Sequence, residues 1–234
     1  MKRILRYLER LWVTDVGLTT LLASLLIYIF LLIPLGGPPW VKMLSRIIFS
    51  LILITGAMTA SRNRIFRVLV FSWGLLTFIF LWTWYLFHFR SQALVFVNNG
   101  LALVFLVLLT ILILSQVFRE GPTTSHRIMG AVAAYLLLGV IWSLAYFMIE
   151  LWAPRAFNIQ GPLTPGDMEG LRAHFFYFSF VTLTTIGYGD IVSIHPFART
   201  LVILEGVAGQ LFPAILIARL VSLQVQSKQK SQND

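Results

Sequence analysis

The stretch Thr182-Leu183-Thr184-Thr185-Ile186-Gly187-Tyr188-Gly189-Asp190-Ile191-Val192 gathers hydroxyls, glycines, a phenol and a carboxylate between two long apolar runs. Irregular backbone at membrane depth is costly unless it lines water or is buried in protein. Two chemistries fit these residue types. Glycine accepts the positive φ that other residues resist, so Gly187 and Gly189, alternating with Ile186 and Tyr188, let successive carbonyls turn to one side. Thr185 adds a carbonyl and a hydroxyl below them. The product is a ladder of neutral oxygens able to replace the hydration shell of a cation. One chain supplies one strand of such a ladder, so a closed ring needs several chains. The second chemistry is hydrolytic, with Asp190 as one carboxylate of a pair that shares a proton.

Which of the two applies depends on the elements that position the stretch. The chain has 234 residues, 58% hydrophobic and 12% charged, with a mean hydropathy of +0.84, well outside the soluble range. It holds no cysteine, which excludes disulfides, thiolate metal sites and cysteine nucleophiles. Six segments have the roughly 20 apolar residues that a helix needs to span hydrocarbon: residues 16–35, 44–60, 68–87, 94–118, 128–152 and 197–221. The first lacks a cleavage-like site and reads as a retained helix. With both termini cytoplasmic, twelve Lys and Arg face inward and six outward, and the cluster Arg62, Arg64 and Arg67 decides the orientation. A net charge of +9 would suggest nucleic acid in a soluble protein, but here it follows the positive-inside rule, so no nucleic acid is expected. Trp12, Trp40 and Trp152 fall at segment ends, as an aromatic belt requires.

Residues 1–15 place Ile4, Leu5, Leu8, Leu11 and Trp12 on one helical face with basic residues opposite. That suits a helix lying in the interface, or equally a plain cytoplasmic lead-in. Residues 16–118 form a four-helix region, residues 128–222 a helix–loop–helix unit, and residues 223–234 a short polar tail expected to fray. Between the last two spans, Ala153 to Gly166 is turn-rich and expected as an exposed outer turret. The aromatic stretch from Glu169 to Thr185 makes about four helical turns, too short to cross. It therefore dips in and returns, with Ile186 to Asp190 as the returning limb.

The run Thr184-Thr185-Ile186-Gly187-Tyr188-Gly189-Asp190 resembles the signature sequence of potassium channels, and the resemblance covers about residues 129–222. It implies an all-α membrane protein of six transmembrane helices with a re-entrant pore helix and filter loop, assembled as a homotetramer in the lipid bilayer of the cell membrane. It implies that the carbonyls of Thr185, Ile186, Gly187 and Tyr188, continued by Gly189, and the Thr185 hydroxyl bind dehydrated potassium ions. Asp190 would sit at the outer mouth. Tyr188 would point away from the pore into an aromatic cuff with Tyr177 and Phe178, and Thr184 would support the pore helix. The pore helix would aim its negative C-terminal end at a central cavity. In some relatives a carboxylate four residues before the filter threonine pairs with the aspartate after it. Val181 stands there in this chain, and Phe178 cannot donate a hydrogen bond to Asp190.

Further along, Gly209 falls at the family's usual hinge position, and Pro213 is a second place to bend, static or moving. Gly209, Pro213, Ile217 and Val221 share one helical face, so Ile217 and Val221 could close a pore by dewetting. Glu205 is a carboxylate deep within a span, a functional candidate by default, with a buried hydrogen bond to the pore helix as its preferred role. His174 and His195 flank the outer mouth as pH sensors or bystanders. Arg46, near an outer helix end, most simply snorkels.

Gly187-Tyr188-Gly189-Asp190 also fits the GxGD pattern of intramembrane aspartyl proteases. The remaining aspartates are Asp15, Asp167 and Asp234, none placed at membrane depth, so that reading fails on geometry and no enzyme or cofactor is expected. A transporter built from pore-loop units resembles four such units in one chain, whereas this chain has one. A non-selective cation channel usually lacks the full GYGD. Voltage-sensing relatives carry arginines at every third position of the fourth span, because the transmembrane field works on charge. Residues 94–118 contain no Lys or Arg at all.

Overall fold

The computed structural model describes residues 17–35, 38–58, 64–87, 91–118, 125–160 and 167–233. The amphipathic segment at 1–15, Asp15, Arg62 and Asp234 lie outside the described residues.

The apolar runs form helices even where Asn98-Asn99-Gly100 or Pro213 interrupts them, since a helix satisfies its own backbone groups in hydrocarbon. α1 begins as Gly17–Leu26, widens to a π-helical stretch over Ile27–Leu32 and ends as Ile33–Leu35. α2 spans Pro39–Met58, α3 Arg64–Phe87, α4 Gln92–Val117 and α5 Ser125–Trp152. β1 is Phe157–Ile159, α6 Met168–Leu183, β2 Ile191–Ser193 and α7 Pro196–Asn233. Among the described residues four helical stretches are long and apolar enough to cross a membrane, Pro39–Gly56, Gln92–Val117, Arg127–Trp152 and Pro196–Arg219. Gly17–Leu32 and Val68–Thr83 are shorter apolar helices.

Three expectations need correction. α2 begins at Pro39, not 44, because a proline fits the first helical turn, where its missing N–H leaves nothing unpaired. α7 runs on to Asn233, so the polar tail is helical, in keeping with its Gln and Lys and its lack of Gly or Pro. The outer turret is not wholly exposed. Ala156 and Phe157 are buried, and β1 pairs antiparallel with β2 in the register Phe157↔Ser193, Asn158↔Val192, Ile159↔Ile191. Phe157 carries that burial by packing edge-on against Phe175 (4.8 Å) and Phe178 (5.6 Å).

α1 to α4 close into a bundle with α5: α1 packs on α2 and α5, α3 on α2 and α4, and α4 along α5. Leu21, Leu25, Ile52, Leu53, Phe105, Leu109 and Leu137 form its core. Lipid is as apolar as leucine, so helices associate in a bilayer by close packing and hydrogen bonds. Trp73 Nε1 donates to the Leu101 carbonyl (3.1 Å), Trp82 Nε1 to Ser50 Oγ (3.2 Å) and Gln92 Nε2 to the Leu151 carbonyl (3.2 Å), tying neighbouring helices. Within α4, Asn99, Thr110 and Ser115 bond back to their own helix.

Candidate functional site

The site is assembled by α5, α6, the strand after α6, and α7. Asp167 caps α6, its Oδ1 accepting from the backbone N–H of Glu169 (3.2 Å) and Gly170 (3.0 Å). At 16 residues, α6 is about 24 Å long. It stops where Thr185 takes a φ of 62°, a left-handed conformation that costs a non-glycine residue about 1–3 kcal/mol.

Gly187 and Gly189 follow with φ of 58° and 80°, while Ile186 and Tyr188 between them stay on the negative side. Alternation of hand turns successive peptide units the same way, unlike a β-strand, in which they alternate. The N–H groups of Ile186 (2.9 Å) and Gly187 (3.3 Å) both donate to the Val181 carbonyl at the end of α6. No described group donates to the carbonyls of Thr185, Ile186, Gly187, Tyr188 or Gly189. The strand thus fastens its donors to α6 and leaves a row of acceptors unused. Because unpaired backbone carbonyls are rare inside proteins, this row must face water, an ion or another chain. Ile186 and Tyr188 are 55% and 69% exposed in the single chain.

Behind the strand the expected aromatic supports divide. Tyr177 stacks on Tyr188 with ring centroids 6.5 Å apart and planes within 4°. Phe178 turns the other way and is buried against Tyr146 (5.2 Å) and Phe157 (5.6 Å). Thr184 Oγ1 donates to the Phe180 carbonyl (2.6 Å), closing the last turn of α6. At the far end of the strand, the Asp190 carbonyl accepts from Gln160 N–H (3.0 Å), and β2 locks onto β1. Burial first, and then the neighbouring Asp190 carboxylate, raise the Tyr177 hydroxyl above the ordinary tyrosine range. Tyr177, rather than Phe178, is therefore the polar neighbour of Asp190.

Glu205 of α7 is fully buried, and the structure shows its partners. Tyr146 of α5 donates to Oε2 (2.5 Å), and Ser179 Oγ of α6 lies 2.5 Å from Oε1. One carboxyl group thus joins α5, α6 and α7. Gly209, one turn further on, is where α7 meets the end of α6: a Cβ there would overlap the Leu183 carbonyl oxygen. That carbonyl also accepts from Tyr135 Oη (3.2 Å). Pro213 lies inside α7, and Ile217 (61%) and Val221 (57%) are exposed in the single chain.

Sequence reasoning missed Tyr135, Tyr146, Ser179 and Glu150. Glu150 accepts the backbone N–H of Arg155 (2.7 Å) and Phe157 (3.2 Å), fixing the start of the β1 loop. Its only sequence signal is a carboxylate next to a helix end. Both histidines serve locally: His174 Nδ1 sits 2.7 Å from the Gly170 carbonyl, and His195 Nδ1 accepts from Phe197 N–H (3.2 Å). Arg46 lines an internal cavity beside Arg172. Among the described residues no three His, Cys, Asp or Glu side chains gather as a metal site.

Residues 134–226, from α5 through the strand into α7, match a family model described as Ion channel. No curated protein matches the chain. The part of the molecule that holds the unpaired carbonyls is thus similar to ion channels. With the apolar helices, this supports a multi-pass membrane protein through which ions pass, and points away from an enzyme.

Proposed function

We propose that the protein is a potassium-selective channel. On this reading α1 to α5 and α7 span the membrane, α6 is a re-entrant pore helix, and four copies surround one pore with both termini in the cytoplasm. The observation that carries the reading is the row of five unpaired carbonyls from Thr185 to Gly189, held by the alternating hand of residues 185, 187 and 189. Oxygens fixed in this way replace the hydration shell of a dehydrated cation, and the Thr185 hydroxyl adds a ligand at the inner end. The exposed apolar face of α7, including Ile203, Leu204, Val207 and Leu211, is what a helix facing other copies and a pore presents. Gly209 and Pro213 are the places where α7 would bend, and Ile217 and Val221 the ring that would close by dewetting. An aspartyl protease gains no support, because Asp167 is engaged in capping α6.

Uptake of rubidium into liposomes tests this. The purified protein takes up rubidium, and an excess of potassium outside suppresses uptake where an equal excess of sodium does not. Gly187→Ala and Gly189→Ala each place a side chain at positive φ, which costs about 1 kcal/mol or more per strand, multiplied over the copies in a ring, and abolish uptake. Uptake equally sensitive to sodium, or untouched by both substitutions, overturns the reading.

A further inference from the structure

An internal cavity of about 610 Å³ lies between the four-helix bundle and the α5–α6 unit, outside the carbonyl strand. Its size is that of a small-molecule site. Its lining is sorted along the bundle axis. Lys42 of α2 pairs with Glu169 of α6 (2.6 Å), and Gln92 of α4 bonds the end of α5, so these helix ends lie together. Counting 1.5 Å per residue from those ends, Lys42, Arg172, Asn98 and Arg46 come at depths of about 5, 6, 9 and 10 Å. Deeper, at about 12–18 Å, the wall is Leu144, Phe176, Ala102 and Val140. One end is cationic and polar; the other is hydrocarbon.

At the polar end two groups, the Arg172 guanidinium and Asn98 Oδ1, have no counter-ion or hydrogen-bond partner among the described residues. Glu169 is taken up by Lys42, and the Asp167 carboxylate by the α6 cap. Among the described residues no carboxylate lies within ion-pair distance of Arg172, whose guanidinium rests on the Phe147 ring, 4.5 Å from its centroid. Burial disfavours its charge most, Glu169 favours it, and the nearby Arg46 disfavours it further. At the same level the buried Oδ1 of Asn98 has no hydrogen-bond partner among the described residues. A half-buried guanidinium without a counter-ion and a buried acceptor without a donor both call for a partner.

We propose that this cavity is a binding site for an amphiphile of the lipid leaflet at the filter end, with a phosphate-type head bearing a hydroxyl. The oxyanion sits between Arg172 and Arg46, the hydroxyl donates to Asn98 Oδ1, and the chain follows the apolar wall inward. A guanidinium holds phosphate through its planar fork of donors. The walls beyond the head distinguish this ligand from free phosphate, which would leave them empty. The proposal rests on the membrane reading above.

Native mass spectrometry of the full chain in detergent, titrated with phosphatidylglycerol or phosphatidylcholine of identical acyl chains, tests it. Both heads carry the phosphate, but only phosphatidylcholine brings a cation toward Lys42, Arg46 and Arg172 and only phosphatidylglycerol offers a hydroxyl to Asn98 Oδ1. Phosphatidylglycerol therefore binds about tenfold more tightly, and 10 mM inorganic phosphate, a test concentration, does not displace it. Arg172→Gln brings the two lipids within about twofold of each other, whereas Arg172→Lys keeps most of the preference. Ala173→Phe, which fills the cavity from α6, weakens binding of both lipids. Equal binding of the two lipids, a preference unchanged by Arg172→Gln, or binding of both lipids unchanged by Ala173→Phe, overturns the site. Displacement by phosphate overturns the amphiphile in favour of a free oxyanion. Because mass, not current, is read, a protein that conducts but shows no preference loses this site alone.

Discussion

A carboxyl group with no solvent contact needs partners for both oxygens, and at Glu205 the count of hydrogens decides its state. Ser179 Oγ lies 2.8 Å from the Gly139 carbonyl and 2.5 Å from Glu205 Oε1. The hydroxyl has one hydrogen and the carbonyl none. Both contacts are hydrogen bonds only if Ser179 donates to Gly139 and Glu205 itself carries the proton that Ser179 accepts. A neutral carboxyl also avoids the several kcal/mol cost of an unpaired buried charge. Glutamine has the same shape and the same pattern, an N–H toward Ser179 and an oxygen toward Tyr146. Glu205→Gln therefore leaves the thermal midpoint close to that of the unmodified protein. Glu205→Ala strands two buried hydroxyls and opens a cavity, and lowers stability by about 2–5 kcal/mol. The pair is compared by thermal unfolding in one detergent; a Gln variant as unstable as the Ala variant contradicts a protonated Glu205. The presence of a buried group at Glu205 was legible in the sequence, since a carboxylate stands out in an apolar run. Tyr146 and Ser179, 59 and 26 residues away along the chain, were not, because only folding brings them there. The same holds for Thr185: glycines announce positive φ by their type, whereas a threonine gives no such sign.

Helices carry the next level of the account. α7 approaches α6 so closely at Gly209 that any side chain would meet the Leu183 carbonyl, which is backbone and cannot swing aside. Gly209→Ala must push the two helices apart, at a cost of about 1–3 kcal/mol, and the end of α6 that holds the strand through Val181 moves with them. The expected outcome is a lower unfolding temperature together with lost ion uptake. A variant as stable as the unmodified protein, altered only in gating, would show that a hinge rather than the contact explains this glycine. α4 supports a different prediction. It contains no Lys or Arg, and its Asn99, Thr110 and Ser115 bond back within the helix. A field of 100 mV does about 2.3 kcal/mol of work on each charge it moves, and α4 offers none. Conductance in symmetrical potassium should change weakly and gradually with voltage. A steep sigmoid with several charges per channel, surviving neutralisation of Arg62, Arg64 and Arg67, contradicts that. The helices were legible because long apolar runs have few alternatives, though among the described residues only four of them are long and apolar enough to cross a membrane. The π-helical stretch in α1 and the β1–β2 pair were not, since three-residue strands depend on tertiary partners such as Phe175 and Phe178.

For the whole molecule, the proposed tetramer rests on three features of one chain. The carbonyl row has no donors among the described residues, Ile186 and Tyr188 are exposed, and α7 presents an apolar face. In the proposed tetramer each copy contributes one strand, the carboxyl bridge at Glu205 ties α6 to α5 and α7, and the β1–β2 lock fixes the strand at its outer end. The strand motif was legible as a unit because seven consecutive residues carry it; the scaffold behind it is spread over α5, α6 and α7 and had to be seen. The direct test of the central claim is the reversal potential of purified protein in planar bilayers, with potassium chloride on one side and an equal concentration of sodium chloride on the other. Potassium selectivity predicts that current reverses far from zero, at the voltage that opposes potassium flow out of its own compartment. A reversal at zero, with sodium and potassium carrying equal current, would contradict the account.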